Sequence, residues 1–537
     1  METGCTERRS DRLKFFYILF YVCFTVCNKF IFFQYLPHWI SVLIYGLLAV
    51  TGAAWIAWDF FTRRECLRIP NQTLLVLFML TMLLSSLLNA QYGITDNLKT
   101  LVWTAIQVML LCSWSRTTPH EVRRKQIHLV MEAVSAIWLV GVISSAVQFS
   151  VGYYRIHHLS WDDKCPQGFG EGRLFGEFTD PNVASVLSIC VVLYLLYQLI
   201  CHRRALAVRI YEVVNLLFQI FYIVMSGSRT AIVALMACGL VLGVFWLPRY
   251  MKAHWSVARK VLCGTGAGLV LAVAVLLSSQ LLKEVYVIFP DRVGAELIQL
   301  MPERWKQYSV FFEEPQEPDS QMQEPDSQIQ EPDSQRQEPE ESVSGEVVPE
   351  ESKVQIDLVR PDTQTQTNIS NNRFQIWTEY LQVFRDRPVF GTSPRNTNAV
   401  ARELLPDNSL IVVKDYSVHN GYLSVLVGTG IVGCVLIALW IFMTLKLVLT
   451  YLVRKFRDRG GAYDSVVWQV CMLLTVAISA FFMMGIFFGN SILEVLFWLV
   501  LGYVYEQISW DMPELVKTEP LVARIFDKLL GRKETKI

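Results

Sequence analysis

Four stretches place polar chemistry where the chain is otherwise apolar: "GRLFGEFTDPN" with Arg173, "SGSRTA" with Arg229, "NNRFQIW" with Arg373, and "HNGYLS" with His419 and Asn420. Guanidinium forks match phosphate oxygens bidentately and stay charged at any physiological pH. Arg229 follows Ser226 and Ser228 and opens an apolar run that reads as a helix. The free N–H groups and dipole of such a helix start already favour an anion. Imidazole is the side chain poised to take a proton near neutral pH. These residue types predict a site that binds a phosphate-like anion, offsets charge developing on it and moves a proton. Against this stands a plainer reading of each residue by itself. An arginine at the end of an apolar run is more often a snorkelling anchor, and a lone histidine more often a surface group.

The elements that must position these residues are set by composition. Of 537 residues, 53% are hydrophobic and 18% charged, against about 25% charged in soluble domains. The runs 129–151, 182–201, 230–248 and 421–445 are nearly free of charge. Each is long enough to cross a hydrocarbon core of about 30 Å at about 1.5 Å per residue. The expected fold is all-α: a polytopic helical membrane protein of about twelve spans, near 15–36, 38–60, 72–90, 97–114, 127–151, 182–201, 207–226, 229–248, 261–282, 420–450, 467–487 and 490–506.

Alternate loops carry the basic residues, such as Arg63, Arg64 and Arg68, then Arg123, Arg124 and Lys125, then Arg203, Arg204 and Arg209. The short loops 91–96 and 488–490 carry none. The positive-inside rule therefore puts both termini in the cytoplasm. Residues 1–14 form the N-terminus and 15–282 the first nine spans with an external loop at 152–181. The segment 283–419 is one large external loop, 420–506 holds the last three spans, and 507–537 is the cytoplasmic tail. All four polar stretches then share the outer rim, where arginine is the wrong anchor. The anchor reading weakens accordingly.

The large loop contains the heptads "EPDSQMQ", "EPDSQIQ" and "EPDSQRQ", and 313–360 holds 15 acidic against 3 basic residues. Proline in every repeat and few apolar residues forbid a packed core, so this tract reads as a disordered acidic insert. Asn368 fits a glycosylation sequon, a common chance match. An amphipathic helix follows at 371–387, with Phe374, Trp377, Leu381 and Phe384 as its apolar stripe and Pro388 ending it. "GTSPRN" at 391–396 is a turn, and 521–530 suits a short interfacial helix. Of twelve cysteines only Cys165 is expected outside, and no pair has metal-ligand spacing. Neither a metal nor another cofactor is expected. There is no P-loop, HExxH or dinucleotide fingerprint, so cytoplasmic nucleotide chemistry and nucleic-acid partners are not supported.

"SGSRTAIVAL", "GRLFGEFTDPN" and above all "RFQIWTEYLQVFRDRPVFGTSPRN…HNGYLSVLVGTGIVG" resemble the O-antigen ligase and polymerase family, from about 150 to 440. The family usually has Gly-x-Gly in the turn, where this chain has Ser393 in second place, and the heptads have no counterpart in its pattern. The resemblance implies a GT-C-like membrane glycosyltransferase in a bacterial cytoplasmic (inner) membrane, acting in cell-surface polysaccharide biosynthesis. It would move a glycan from a polyprenyl carrier, such as undecaprenyl diphosphate, to an acceptor hydroxyl of a glycan or lipid on the outer face. Arg173, Arg229 and Arg373 would hold the diphosphate, and His419 and Arg229 would be catalytic. Ser226, Ser228 and Asn420 would support them. Membrane lipids and other polysaccharide-assembly proteins are the implied partners. Polymerase-like chemistry stands slightly ahead of a ligase that transfers finished glycan to a lipid, protein or wall acceptor. A lipid-linked oligosaccharide transporter is the rival from another class, but its ionisable residues belong near the membrane midplane.

Overall fold

The computed structural model describes residues 9–113, 118–159, 162–251, 254–270, 372–457, 461–483, 485–516 and 520–529, with residues 273, 274, 277, 281, 306, 308 and 309. The acidic insert 313–360 and Asn368 lie outside them. Helix α1 (Arg9–Cys27) opens the chain, followed by α2 (His38–Thr62), α3 (Gln72–Leu88) and α4 (Thr95–Ala105), which runs on as a π-helical stretch to Leu111. Helix α5 (His120–Ser150) leads into a small sheet, then α6 (Pro181–Cys201), α7 (Leu206–Met225) and α8 (Arg229–Val241). Beyond the insert come α9 (Arg373–Asp386), α10 (Thr397–Leu404), α11 (Leu410–Lys414), α12 (Gly421–Arg454), α13 (Gly461–Ser479), α14 (Ile492–Asp511) and α15 (Leu521–Leu529).

Among the described residues eight helices are long and apolar enough to cross a membrane: α2, α5, α6, α7, α8 with its extension to Tyr250, α12, α13 and α14. Each answers to one of the twelve expected spans. The other four differ for local reasons. Helix α1 begins with Arg9, Asp11, Arg12 and Lys14, α3 has 17 residues, and α4 changes helical type after 11. Part of 261–282 lies outside the described residues, of which 257–270 are helical. Helices α6 and α14 sit in the middle of the bundle, buried along most of their length, whereas α2 is mostly exposed along its apolar surface.

The segment 152–181 is more ordered than a loop. It forms a three-stranded antiparallel sheet of β1 (Tyr154–Leu159), β2 (Asp162–Gly170) and β3 (Arg173–Gly176), in that order. Tyr154 pairs with Gly168, and Gly170 with Arg173. The strand signal was hidden because "DDKCPQGFG" lacks alternation and carries Pro and Gly. Polar contacts seat the sheet on α5: Glu177 accepts from Gln148 (2.7 Å) and Gln167 (2.8 Å), and Gln167 meets His157 at 2.7 Å. Cys165 is buried against Ile31 and is not an accessible thiol.

The bundle has two unlike ends. At one, which we call the tail end, basic residues from several helix ends are matched by acids. Arg63 pairs with Asp11, Arg64 and Arg68 with Asp527 of α15, His120 and Arg123 with Glu506, Arg249 with Asp464, and Lys455 with Asp511. Helix α15 thereby turns its acid inward and leaves Leu521, Ile525 and Leu529 exposed with Arg524 and Lys528. The other, loop-rich end carries the sheet and residues 372–420.

At the loop-rich end a broken helix organises the connection between α9 and α12. Gly430 has φ +66° in the middle of α12, so the helical ladder stops there. Residues 388–392 fill the break. Ile431 donates its N–H to Pro388 (2.8 Å), Val432 to Val389 (3.3 Å), and Thr392 donates to Val427 (2.9 Å). A Cβ on Gly430 would collide with the Val389 carbonyl, and one on Gly391 (φ +72°) with the Val427 carbonyl. Backbone groups freed inside a membrane helix must find partners within the protein, and this loop supplies them. Ser393 follows at φ +66°, fully buried, with an Oγ that has no partner among the described residues. The turn thus demands a glycine-like conformation at the very position where the sequence departs from Gly-x-Gly.

Helix α9 also differs from its expected face. Ile376, Glu379, Tyr380 and Val383 are buried, while Phe374 and Leu381 are exposed and Trp377 and Phe384 half-buried. Polar residues share the inner face: Glu379 accepts from the N–H groups of Leu410 and Ile411 at the start of α11, both at 3.1 Å. Tyr380 donates to the Tyr416 carbonyl (2.7 Å). An apolar stripe could not reveal a face built from hydrogen bonds.

Two outcomes follow from this end of the molecule. Gly430→Ala should lower the unfolding temperature in detergent sharply, because the left-handed backbone and the carbonyl collision each cost on the order of 1–3 kcal/mol. Ser393→Gly should raise stability by about 1 kcal/mol, by relieving left-handed strain and an unpaired buried hydroxyl. A Ser393→Gly protein that melts lower than the parent would show that the hydroxyl is needed.

Candidate functional site

The loop-rich end gathers the starts and ends of several spans, and the site grows from how they are capped. Helix α6 begins at Asp180-Pro181: the Asp180 carboxylate accepts from the N–H of Asn182 (2.8 Å) and Val183 (3.4 Å), with proline at the first helical position. Helix α7 ends at Ser226 and α8 starts at Arg229, with Gly227 (φ +61°) making the corner. Ser226 is fully buried and its Oγ accepts from the N–H of Ser228 (3.4 Å), while Ser228 caps α8 by accepting from Ala231 (3.4 Å). Arg229 is exposed on the first turn of α8.

Arg173 ties three of these pieces together. Its Nε donates to the Ser226 carbonyl (3.2 Å), its Nη2 to Asn182 Oδ1 (3.2 Å), and the guanidinium lies 5.2 Å from the centre of the Phe175 ring. The sheet, the α6 start and the α7–α8 corner therefore meet through one cation. Much of the donor capacity of Arg173 is spent on this clamp.

His419 stands at the entrance to α12 in a left-handed conformation (φ +46°) and is half-buried. The next residue, Asn420, caps the helix by accepting from the N–H of Tyr422 and Leu423, both at 3.0 Å. Its support for the site is thus to fix the backbone beside His419. Gly421 donates to the Ala480 carbonyl (2.7 Å), which docks this entrance on the end of α13. Arg373, on the first turn of α9, lies 5.9 Å from the Phe482 ring centre. The imidazole feels charge from two directions. Burial pushes the His419 pKa below its ordinary value and the Arg373 guanidinium lowers it further, while Asp180 raises it in part. The neutral, proton-accepting form is therefore favoured near neutral pH.

Three further charged residues stand near these groups. Lys29 lies in the turn after α1, and the carboxylates of Asp180 and Glu494 both act on its ammonium. Glu494 is buried in the first turn of α14, where it accepts from the Ser491 N–H (2.6 Å). Arg395, from the "GTSPRN" turn, donates to Thr100 (2.9 Å) and to the Phe488 carbonyl (2.7 Å), and its charge also reaches Glu494. Positive and negative groups thus alternate from Arg373 past Asp180, Lys29 and Glu494 to Arg395.

All the residues expected from sequence stand at this one end. Arg173, Ser226, Ser228 and Arg229 form one cluster, and Arg373, His419 and Asn420 a second. Asp180 links them, two residues from the Arg173 partner Asn182 and within electrostatic reach of His419. Lys29, Glu494 and Arg395 were missed. A lysine inside an expected span at the outer rim, and Ser491 three residues before Glu494 as a capping box, were the available signals. Glu177 and Asp180 are the carboxylates that follow Arg173 in the same stretch. Glu177 is taken up by side-chain amides and Asp180 by a helix cap. Among the described residues no group of three or more His, Cys, Asp or Glu is arranged to hold a metal ion.

Residues 214–438 match the family model described as O-antigen ligase. No curated protein matches the chain. The matched stretch holds the α7–α8 corner with Arg229, all of α9, His419 and the first half of α12 with its break. The match covers less than half of the chain and, with a polytopic helical fold around it, marks that stretch as similar to the O-antigen ligase family.

Proposed function

We propose that the loop-rich end faces outward from a bacterial cytoplasmic membrane and transfers a glycan from a polyprenyl diphosphate carrier to an acceptor hydroxyl, in a polymerase-like reaction. The observation that carries this reading is that Arg229, Arg373 and His419, the last with its pKa pushed below the ordinary value, stand at the starts of α8, α9 and α12 at one end of the bundle. In this reaction the acceptor oxygen forms a bond to the anomeric carbon of the donor glycan. The bond from that carbon to the diphosphate oxygen breaks, and its electron pair leaves with the polyprenyl diphosphate. The acceptor proton passes to Nδ1 or Nε2 of His419 and then to water. Arg229 and Arg373 offset the charge that grows on the departing diphosphate, the kind of preorganised contact that accelerates transfer most. Arg173 acts chiefly by holding the corner that aims Arg229.

Loop charge supports the orientation: the tail end carries Arg63, Arg124, Arg249 and Lys455, as the positive-inside rule asks of a cytoplasmic face. A ligase that delivers finished glycan to a lipid, protein or wall acceptor would use the same groups. Glycan chain length in a deletion strain separates the two.

Arg229→Ala and His419→Ala should each cut transfer by more than about a hundredfold, with membrane insertion intact. Arg229→Lys should restore only part of the rate, since an ammonium lacks the planar fork. Near-normal glycan from both alanine variants would leave these residues as anchors.

The pH dependence has a definite sign. A proton acceptor works in its neutral form, so kcat/KM should rise as pH climbs through the lowered His419 pKa and then level off. Asp180→Asn keeps the helix cap but removes a charge that raises this pKa, so the acid limb should move to lower pH. Arg373→Gln should move it to higher pH and also slow the reaction. An acid limb unmoved by both changes would assign the proton to another group.

Transfer by the purified protein from a lipid-linked donor should be unchanged in excess EDTA, because arginines supply the positive charge that many diphosphate enzymes take from a cation. Activity lost on chelation and restored by magnesium or manganese would move Asp180 and Glu177 to the centre of the site.

A further inference from the structure

Lys29 stands outside the matched stretch, in the turn between α1 and the short helix Ile31–Gln34. Its backbone is fixed from several sides. Phe30 bridges to Phe178, with Ile31 donating to the Glu177 carbonyl (2.8 Å) and Thr179 donating to the Lys29 carbonyl (3.1 Å). Phe30 and Phe178 stack with Trp138, at 5.8 and 4.1 Å between ring centres. Gly141 leaves the room, since a Cβ there would strike both phenylalanines. Asn28, one residue earlier, is held by Tyr45 (3.0 Å) and by Gln34 (2.6 Å).

This scaffold sets Lys29 alongside Thr179 and Asp180, at the start of α6. The ammonium itself is not used up. It lies in the fields of Asp180 and Glu494, yet among the described residues neither carboxylate forms an ion pair with it and no hydrogen bond takes it. A partly buried cation is expensive to hold without a direct partner. One so firmly placed, beside the carboxylate that also acts on His419, has the properties of a ligand group awaiting an anion. Two other cations of this end are differently engaged: Arg395 and Arg173 donate to protein carbonyls and side chains.

Resting on the function proposed above, we infer that Lys29 is a further diphosphate-binding residue, delivered to the site from the first helix of the chain by the Phe30–Phe178 bridge. As a compact point charge on a flexible stem it suits a group that must hold the diphosphate both before and after the glycan leaves.

The test uses the full chain in nanodiscs and a polyprenyl diphosphate as the probe. Lys29→Gln should weaken its binding at least tenfold, Lys29→Arg should keep most of it, and neither should change the unfolding temperature. In the parent protein the same lipid should protect Lys29 from an amine-reactive reagent, read by mass spectrometry, which needs no variant to fold. Inorganic pyrophosphate at high concentration should protect it too, since the headgroup is what is bound. Binding within twofold of the parent in Lys29→Gln, or no protection, would overturn the inference. So would a lowered unfolding temperature with unchanged affinity, which would make Lys29 an internal counter-charge. If Arg229→Ala and His419→Ala abolish transfer while Lys29→Gln binds normally, this inference alone falls. If the parent binds no polyprenyl diphosphate, the proposed function falls with it.

Discussion

The geometry of the loop-rich end depends on one exchange of backbone hydrogen bonds. Gly430 breaks α12, and residues 388–392 enter the break to take up the freed N–H and C=O groups. Without that exchange, a helix interrupted within an apolar layer would leave several polar groups unpaired, at a cost of several kcal/mol each. With it, the end of α9 and the first half of α12 become one unit. That unit fixes where Arg373 and His419 begin their helices. Ser85 and Asn89 of the α3 end extend the lock, through the Gly428 carbonyl (3.0 Å) and the Gly391 carbonyl (3.0 Å). Asn97 and Thr100 of α4 then hold Arg395 (both at 2.9 Å). A two-glycine interlock thus propagates to much of the end on which the candidate residues stand.

A second constraint is how charge is distributed. At the tail end acids answer bases: Asp11, Asp464, Glu506, Asp511 and Asp527 each meet an arginine or lysine. These pairs join helix ends and so fasten the bundle. At the loop-rich end Arg402 pairs with Asp415, while Arg173 donates to Ser226 and Asn182 beside the Phe175 ring, and Arg395 to Thr100 and the Phe488 carbonyl. Neutral partners orient a guanidinium without cancelling its charge. The tail end is thus fastened by ion pairs between helix ends, while the Arg173 contacts join the sheet, the α6 start and the α7–α8 corner.

Much of this was legible in the sequence, and the gaps have physical causes. Apolar length gave the polytopic fold, and arginines in the wrong loops pointed to the loop-rich end. The three-stranded sheet was not legible, because β2 is held by side-chain amides reaching α5 and has no alternating pattern of its own. The inner face of α9 was misjudged for a related reason: Glu379 and Tyr380 are buried by hydrogen bonds. Lys29 and Glu494 escaped notice because they are far apart in sequence, at the two extremes of the bundle, and only the fold brings both to Asp180 or Arg395. Ser393 is the opposite case. Its departure from Gly-x-Gly was visible in the sequence, and its left-handed backbone supplies the reason.

The central claim is that the loop-rich end binds a lipid diphosphate among cations drawn from several helices. A cryo-EM structure of the full chain in nanodiscs with bound polyprenyl diphosphate tests it most directly. The account predicts diphosphate density at the starts of α8 and α9, within contact distance of Arg229 and Arg373 and beside His419. Density instead in the tail-end cavity of about 100 Å³ lined by Lys14 and Arg123, with the loop-rich end empty, would contradict it.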